Sequence, residues 1–410
     1  MKITEVETVQ IAEHPNILYV RIHTDEGLVG LGETFSGAEA VASWVHETAA
    51  LTLVGADALA IERIWHELNP IIGFNATGVE ARGRSAIDIA LWDILGQVAG
   101  LPIYQLLGGA VRDRIRVYNT CAGYRYVRDV VDSTRLLDNW HLADAGGDSP
   151  GPYEDLDAAL NRADELAQSL LEEGITGMKL WPLDPYAASS RGRFISDPDL
   201  RRGIEPFEKI RRAVGDRIDI MVELHSLWNL PAARKIFAAL DELSPFWYED
   251  PIKMDDLGAL RELARSTAVP VAASENLGTR WSFRDLLERR AAGVIIYDPT
   301  YAGGISEGKK ISAMAEAHQL PIATHDCTGP VNFTVNVHLA INVPNTLIQE
   351  FVRAYYSTWY KDLVTELPRV EKGFAYPLDG PGLGTALQPA LLKRSDVTKR
   401  STTRARARPA

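Results

Sequence analysis

Apolar and polar residues alternate from Leu18 to Thr24 (Leu18-Tyr19-Val20-Arg21-Ile22-His23-Thr24), a turn follows at Asp25-Glu26-Gly27, and the chain returns through Leu28 to Glu33. A period of two interrupted by a glycine turn predicts an antiparallel hairpin. Helical periodicity takes over from about Ala38 to Leu53 and from about Ala60 to Leu68. It is strongest from Ala81 to Ala99, where Ile87, Ala90, Leu91 and Leu95 share one face. Residues 1–115 therefore read as an α+β unit.

Beyond Ile115 the rhythm changes to short apolar runs, each followed by a helical stretch. The runs are Ile115–Thr120, Thr176–Trp181, Ile218–His225, Phe246–Glu249, Val269–Glu275, Val294–Asp298, Pro321–His325 and Thr346–Glu350. Strands alternating with helices predict parallel βα units, and eight of them predict a (β/α)8-type barrel over residues 116–360. Two long connections, Ala122–Glu154 and Pro182–Pro198, leave the carboxyl ends of the first two runs. That is the face on which barrels carry their chemistry, so both are expected to line a pocket. Residues 361–392 include a Gly- and Pro-rich wrap-around coil from Tyr376 to Leu387. Lys393–Ala410 is basic and almost without large apolar residues, which reads as a disordered tail.

Composition adds limits. The 410 residues are 46% hydrophobic and 24% charged, as in ordinary globular proteins, and are enough for a barrel plus a smaller domain. A formal charge of −12 argues against a nucleic-acid partner, since phosphate binding needs a basic surface; a cation fits better. Cys121 and Cys327 stand far apart without a metal-knuckle spacing, so the expected setting is a reducing cytoplasm. Met1-Lys2-Ile3-Thr4-Glu5-Val6-Glu7 has no apolar leader core, and no stretch is long enough to span a bilayer. No membrane partner is expected.

The chemistry lies at the strand ends. Glu223, Glu249 and Glu275 close three consecutive runs at intervals of 26 and 26 residues. One βα unit has about that length, so the three carboxylates are expected at one height on neighbouring strands, pointing into the barrel mouth. Their repulsion calls for a divalent cation, and an all-oxygen set favours Mg2+ or Mn2+ over zinc. Asp298 follows 23 residues after Glu275 and His325 a further 27; on adjacent strands the carboxylate would orient the imidazole as a general base. Glu350 takes the same place on the eighth strand, and Lys179 supplies an inward cation on the second. Any one of these residues alone is more often a helix cap or a surface ion pair. Six charged residues in one register are not explained that way. His225 stands two residues beyond Glu223, where strand alternation sends both to one side.

The whole chain except its tail resembles the mandelate racemase subgroup of the enolase superfamily. The likeness rests on Ser85-Ala86-Ile87-Asp88-Ile89-Ala90-Leu91-Trp92-Asp93, on Gly100-Leu101-Pro102-Ile103-Tyr104-Gln105-Leu106-Leu107-Gly108-Gly109, and on Asp298 followed by Gly303-Gly304-Ile305-Ser306-Glu307. It implies a (β/α)7β TIM-type barrel with an N-terminal α+β capping domain completed by C-terminal residues, and one Mg2+ per subunit held by Glu223, Glu249 and Glu275. It also implies His325 with Asp298 as the base, Glu350 as a hydrogen-bond donor to the substrate carboxylate, and Lys179 touching that carboxylate. Where the family often has Lys-x-Lys, Trp181 replaces the second lysine. That removes the opposite-face base of a racemase and leaves Trp181 as a substrate-binding candidate. The acidic-x-His of Glu223 and His225 is similar to that of the subgroup's sugar-acid dehydratases, in which the histidine is a general acid.

The expected reaction is abstraction of the α-proton of a carboxylate by His325. His225 would then donate a proton to the departing β-hydroxyl, giving a 2-keto-3-deoxy sugar acid. Loops near Ile11–Leu18 and Phe35–Val41 of the capping unit are expected to select the substrate. Cycloisomerisation or epimerisation of a sugar acid or lactone through the same first step is the alternative, and a non-catalytic binding barrel the remote one. The family likeness also suggests a homo-oligomer, a dimer or an octamer.

Overall fold

A computed structural model describes residues 1–69, 78–126 and 153–403 of the chain. The amino-terminal hairpin forms as strands β1 (Ile3–Ile11), β2 (Ile17–Thr24) and β3 (Val29–Phe35), all antiparallel. Their alternation buries Val6, Leu18, Val20 and Ile22 against the helices of residues 38–99. The long helix Val79–Ala99 lies directly on the sheet because Gly30 and Gly32 present no side chain to it. A Cβ on Gly32 would fall 1.8 Å from the carbonyl oxygen of Ala86, and one on Gly30 2.0 Å from that of Ala90. Only glycine permits such an approach. Asp93, on the same helix, accepts hydrogen bonds from the backbone N–H of Leu31 (3.0 Å) and of Leu383 (2.8 Å). One buried carboxylate thus joins the sheet, the helix and the carboxy-terminal segment.

Eight parallel strands follow: β4 (Ile115–Thr120), β5 (Gly177–Leu180), β6 (Asp219–Glu223), β7 (Trp247–Glu249), β8 (Val271–Ala273), β9 (Val294–Tyr297), β10 (Ile322–Thr324) and β11 (Gln349–Phe351). Each pairs with the next from β4 to β10, and β11 pairs with β4. The ring closes where the Ile322 N–H donates to the Asn345 oxygen (2.9 Å) and the Leu347 N–H to the Ile322 oxygen (2.9 Å). Helical segments fill each of the seven intervals between these strands, so the barrel has the (β/α)7β pattern. Tyr118, Met221, Trp247, Ala272, Val294, Ile296, Ala323 and Ile348 pack as a separate apolar cluster. They come from alternating strand positions and fill the barrel interior as a floor.

After the barrel, a hairpin of β12 (Arg369–Glu371) and β13 (Phe374–Tyr376) adds antiparallel to β4. The Gly- and Pro-rich segment then returns to the capping unit, where the Gly382 N–H donates to Leu101 and the Ile103 N–H to Gly382. Strand β14 (Val397–Thr402) completes the capping sheet by pairing antiparallel with β1 from Ile11↔Val397 to Val6↔Thr402. This corrects the disordered tail expected from Lys393 onward. The strand is an exposed edge held by its backbone ladder rather than by apolar burial, so hydrophobic patterning carried no sign of it. Residues 404–410 lie outside the described residues. Among those described, no helix is long and apolar enough to cross a membrane.

His46 ties β14 down: its Nε2 lies 2.8 Å from the Thr8 hydroxyl and its Nδ1 2.9 Å from that of Thr402. Burial, aided by the nearby charge of Arg400 and opposed by Glu47, lowers its pKa to about 4. The unfolded chain takes up this proton near its ordinary value, so the stabilisation is present above about pH 6.5 and is lost as the pH falls towards 4. Hydrogen-exchange protection of residues 397–402, corrected for intrinsic rates, should fall between neutral pH and about pH 4.5 in the parent and change less in His46→Gln. Equal protection at both pH values would contradict the linkage. Asp93→Ala leaves two buried N–H groups without acceptors and should lower unfolding stability by about 2–4 kcal/mol in urea titrations.

Candidate active site

Parallel register brings the acidic residues together. Glu223 and Glu249 are paired residues at the last positions of β6 and β7, and Glu275 follows two residues after β8. One carboxylate oxygen from each lies within 4.8 Å of the others. Lys179, from β5, puts its ammonium 2.7 Å from Glu249, 2.7 Å from Glu350 and 3.2 Å from Glu223. Glu350, on β11, also accepts hydrogen bonds from the Thr120 hydroxyl and from the Asp326 N–H (2.9 Å).

Lys179, Glu223, Glu249 and Glu350 are all buried. One ammonium cannot offset so much like charge. Burial first, and then the charge of Glu223, push the Glu249 carboxyl well above the usual range despite Lys179. For Glu223 the penalty of burial is outweighed by His225 and Lys179, which hold it below its ordinary value. The same penalty at Glu275 is overcome by His325. Glu223 Oε2 is buried and has the Lys179 ammonium at 3.2 Å without a hydrogen bond. Three converging carboxylates with an oxygen-only donor set fit a hard divalent cation.

On the neighbouring strands, His325 directly follows β10 and Asp298 directly follows β9. The His325 Nδ1–H donates to Asp298 Oδ2 at 2.7 Å, while Nε2 faces Glu275 Oε2 at 2.9 Å. Asp298 therefore fixes the orientation of the ring, whose Nε2 points at the acidic cluster. Asp298 is itself held by the N–H (2.7 Å) and hydroxyl (2.5 Å) of Thr300 and by the Asn332 amide (3.1 Å). The amides of Asn332 and Asn336 also donate to the His325 carbonyl, at 3.2 and 2.8 Å. Both asparagines stand on the helix Pro330–Asn342, whose first N–H groups donate to Glu33 of β3 at 3.2 and 3.1 Å. A carboxylate at a helix amino terminus is favourably placed. Burial nevertheless raises its pKa to about 8, against the pull of the Asn332 and Val331 N–H groups.

His225 reaches the mouth by a route other than the expected strand alternation. Strand β6 ends at Glu223, and the chain then turns through left-handed φ values at His225 (45°) and Ser226 (57°). Its imidazole is held at Nδ1, which lies 2.6 Å from the buried Asp184 Oδ2, and its backbone N–H donates to Glu223 at 2.7 Å. Burial opposes the charged ring, yet Glu223 and Asp184 together raise its pKa to about 9. Trp181 is buried, with its ring edge-on to His225 at 5.5 Å and tilted against Tyr126 at 5.3 Å. Trp228 is buried in the core.

Beside the site, a small cleft is lined by His14, Asn16, Ile17 and Phe35 from the capping unit and by Tyr126, Thr328, Tyr355 and Trp359 from the barrel. The expected selecting loop Ile11–Leu18 is thus represented, as is Phe35 of the second; Ser36–Val41 do not line this cleft. Of the long connection Ala122–Glu154, residues 127–152 lie outside the described residues. The lysine, the four glutamates and the Asp298–His325 pair come together at the strand ends, and His225 joins them through its own turn. Sequence reading missed Asp184, Glu33, Thr120 and Asn332. Asp184 sits in Leu183-Asp184-Pro185 within a long connection, and Glu33 ends a strand of the other domain, so neither belongs to the regular series of strand ends.

Residues 162–391 match the enolase C-terminal domain-like family, and residues 4–108 match the mandelate racemase / muconate lactonizing enzyme N-terminal domain. The chain is 30% identical over 392 residues to a D-galactonate dehydratase of Variovorax paradoxus, covering 94% of this chain and 91% of that protein. It is 28% identical over 391 residues to a D-xylonate dehydratase of Haloferax volcanii, covering 94% and 87%. The crystal structure of an enolase of the mandelate racemase subgroup from Agrobacterium tumefaciens, with a succinimide residue, sodium and phosphate, superposes with a TM-score of 0.87. It is 49% identical and covers 99% of this chain and 100% of that one.

Replacing one buried carboxylate tests the acidic cluster directly. In calorimetric titrations with Mg2+, Glu249→Gln should bind roughly tenfold more weakly or not at all. Its metal-free form should melt no lower than the parent, because one repelling charge has gone. Undiminished binding in the variant would exclude Glu249 as a ligand.

Proposed function

Since the chain belongs to the mandelate racemase subgroup of the enolase superfamily, we propose that it is a Mg2+-dependent hydro-lyase that converts an aldonic or aldaric sugar acid to its 2-keto-3-deoxy acid. The observation that carries the reading is the pair of oriented imidazoles beside one acidic cluster, His325 joined to Asp298 and His225 joined to Asp184. Dehydratase relatives that span nearly the whole chain support it.

Enzymes of this superfamily use Mg2+, which when bound by Glu223, Glu249 and Glu275 supplies the positive charge that offsets the substrate carboxylate. Lys179, held among Glu223, Glu249 and Glu350, orients that carboxylate, and Glu350 helps hold Lys179 in place. His325 Nε2 removes the α-proton, and Asp298 stabilises the imidazolium so formed. The electron pair left on the α-carbon becomes the new carbon–carbon double bond as the β-carbon–oxygen bond breaks. His225 gives its proton to the leaving oxygen, which departs as water. The resulting enol takes up a proton at the β-carbon and becomes the 2-keto acid, so the net change is loss of one water. Trp181 stands where a second lysine base would be needed and packs against His225, which favours dehydration over a two-base racemisation.

A library of aldonic and aldaric acids, assayed with Mg2+ for semicarbazide-reactive 2-keto acids, tests the reading. At least one acid should be turned over, and His325→Asn should lower kcat by roughly 10²–10⁴-fold. Metal-dependent α-proton exchange without any keto acid would instead establish an epimerase or cycloisomerase. Intact turnover in His325→Asn would remove it as the base.

A further inference from the structure

We infer that Asp184 is a positioning residue for the second half of the reaction: it holds His225 by Nδ1, so that proton transfer to the leaving hydroxyl runs through Nε2. The inference rests on the dehydratase reading and deepens it, giving the site two aspartate–histidine pairs with separate tasks. His325–Asp298 serves the α-carbon and His225–Asp184 the β-oxygen.

Geometry carries the assignment. The Asp184–His225 contact, at 2.6 Å, joins a fully buried carboxylate to the ring. Its counterpart, Asp298–His325, is 2.7 Å. Asp184 opens a short turn (Asp184–Tyr186) whose backbone is fixed by the Asp184 N–H donating to Trp181 (3.2 Å) and the Ala187 N–H donating to Asp184 (3.0 Å). The helix Asp197–Val214 packs onto this turn at Gly203, where a Cβ would fall 2.4 Å from the Leu183 side chain.

The connection bearing Asp184 is sewn to the turn bearing His225. The Asn229 N–H donates to the Gly192 oxygen (2.9 Å), the Asn229 amide to the Arg193 oxygen (3.2 Å), and the Lys235 ammonium to the Ile195 oxygen (3.0 Å). At Gly192 (φ 71°) the two segments meet so closely that a Cβ would lie 1.7 Å from the Leu227 oxygen. On the other side the ring is met edge-on by Trp181. Left-handed backbone at both His225 and Ser226 is costly for residues with side chains, and it turns the imidazole back towards Asp184 rather than along the strand direction. A carboxylate that only filled a polar gap would need neither this turn nor the second loop locked onto it.

The two half-reactions separate the outcomes. With an acid that the parent dehydrates, α-proton exchange is followed by NMR in deuterated water and keto acid formation by semicarbazide. Asp184→Asn should lower the kcat for keto acid by about 10²-fold or more, as expected for a misoriented proton donor. Exchange and KM should stay within a few-fold. The double variant Asp184→Asn/His225→Asn should be no slower than His225→Asn alone. Equal losses of exchange and dehydration in Asp184→Asn, no loss of either, or additive losses in the double variant would overturn the role. A second measurement needs no variant of Asp184: in the 15N-histidine-labelled parent, with His225 assigned by its absence from His225→Asn, Nδ1 should be protonated. A bare Nδ1 would overturn the proposal even if Asp184→Asn failed to fold. Failure of the dehydratase reading shows elsewhere, in a parent that exchanges α-protons yet makes no keto acid.

Discussion

Repulsion among buried carboxylates is the constraint on which this molecule turns. Parallel strands in register carry their last side chains to one height, and Glu223 and Glu249 are direct partners in that register. With Glu275 and Glu350 they form a concentration of negative charge that burial makes worse. The surroundings are arranged around the need to offset it. Lys179 contacts three of the four glutamates and His325 the remaining one. The Trp247 indole N–H steadies Glu249 at 2.9 Å, and backbone N–H groups of Leu224 and His225 steady Glu223. The cluster suits a divalent cation, which would complete what one ammonium leaves unfinished. The same negative potential raises the pKa of the nearby His225 and His325 imidazoles against the opposing effect of burial.

The two domains are coupled through this site. Glu33 belongs to the capping sheet, yet it accepts the first N–H groups of the helix Pro330–Asn342. Asn332 on that helix holds both Asp298 and the His325 carbonyl. A continuous run of hydrogen bonds therefore leads from a strand of the small domain to the Asp298–His325 pair of the large one. Gly329 permits the approach, since a Cβ there would lie 2.5 Å from the Glu33 carboxylate. Docking of the cap and alignment of the His325 ring are one structural event, and Thr34 adds to it by donating its hydroxyl to the Thr300 carbonyl at 2.9 Å.

Much of this was legible in the sequence because the barrel is periodic. Equal spacing of Glu223, Glu249 and Glu275 reports equal height, and Asp298, His325 and Glu350 continue the series. Asp184 and Glu33 were not legible for a related reason: each reaches the site from outside the period, one from an irregular connection and one from another domain. Strand β14 escaped because an edge strand held by its ladder needs no apolar face. Strand alternation does not account for the position of His225, because β6 ends at Glu223. A strand carried two residues farther would have sent its side chain inward by alternation, whereas the real chain leaves the strand and turns.

That turn shows how the fold reconciles packing with chemistry. Three residues just past Glu223 and Glu249, His225 (φ 45°), Ser226 (φ 57°) and Asp250 (φ 40°), occupy left-handed backbone without being glycine. Each costs on the order of 1–2 kcal/mol relative to ordinary conformations. Had β6 and β7 continued straight, the carboxylates would stand below a longer rim and the mouth would be narrower. Sharp exits instead leave Glu223 and Glu249 as the last strand residues and send the following backbone aside. The Ser226 N–H is thereby brought to the Asp250 oxygen at 2.6 Å, so neighbouring exits brace one another. Strain at the rim is tolerable because the interior cluster beneath it, from Tyr118 to Ile348, is fully packed and does not depend on how the strands end. The barrel can therefore carry an unfavourable rim over a stable floor, and the side chains at the strand ends gain an open mouth with their directions already set.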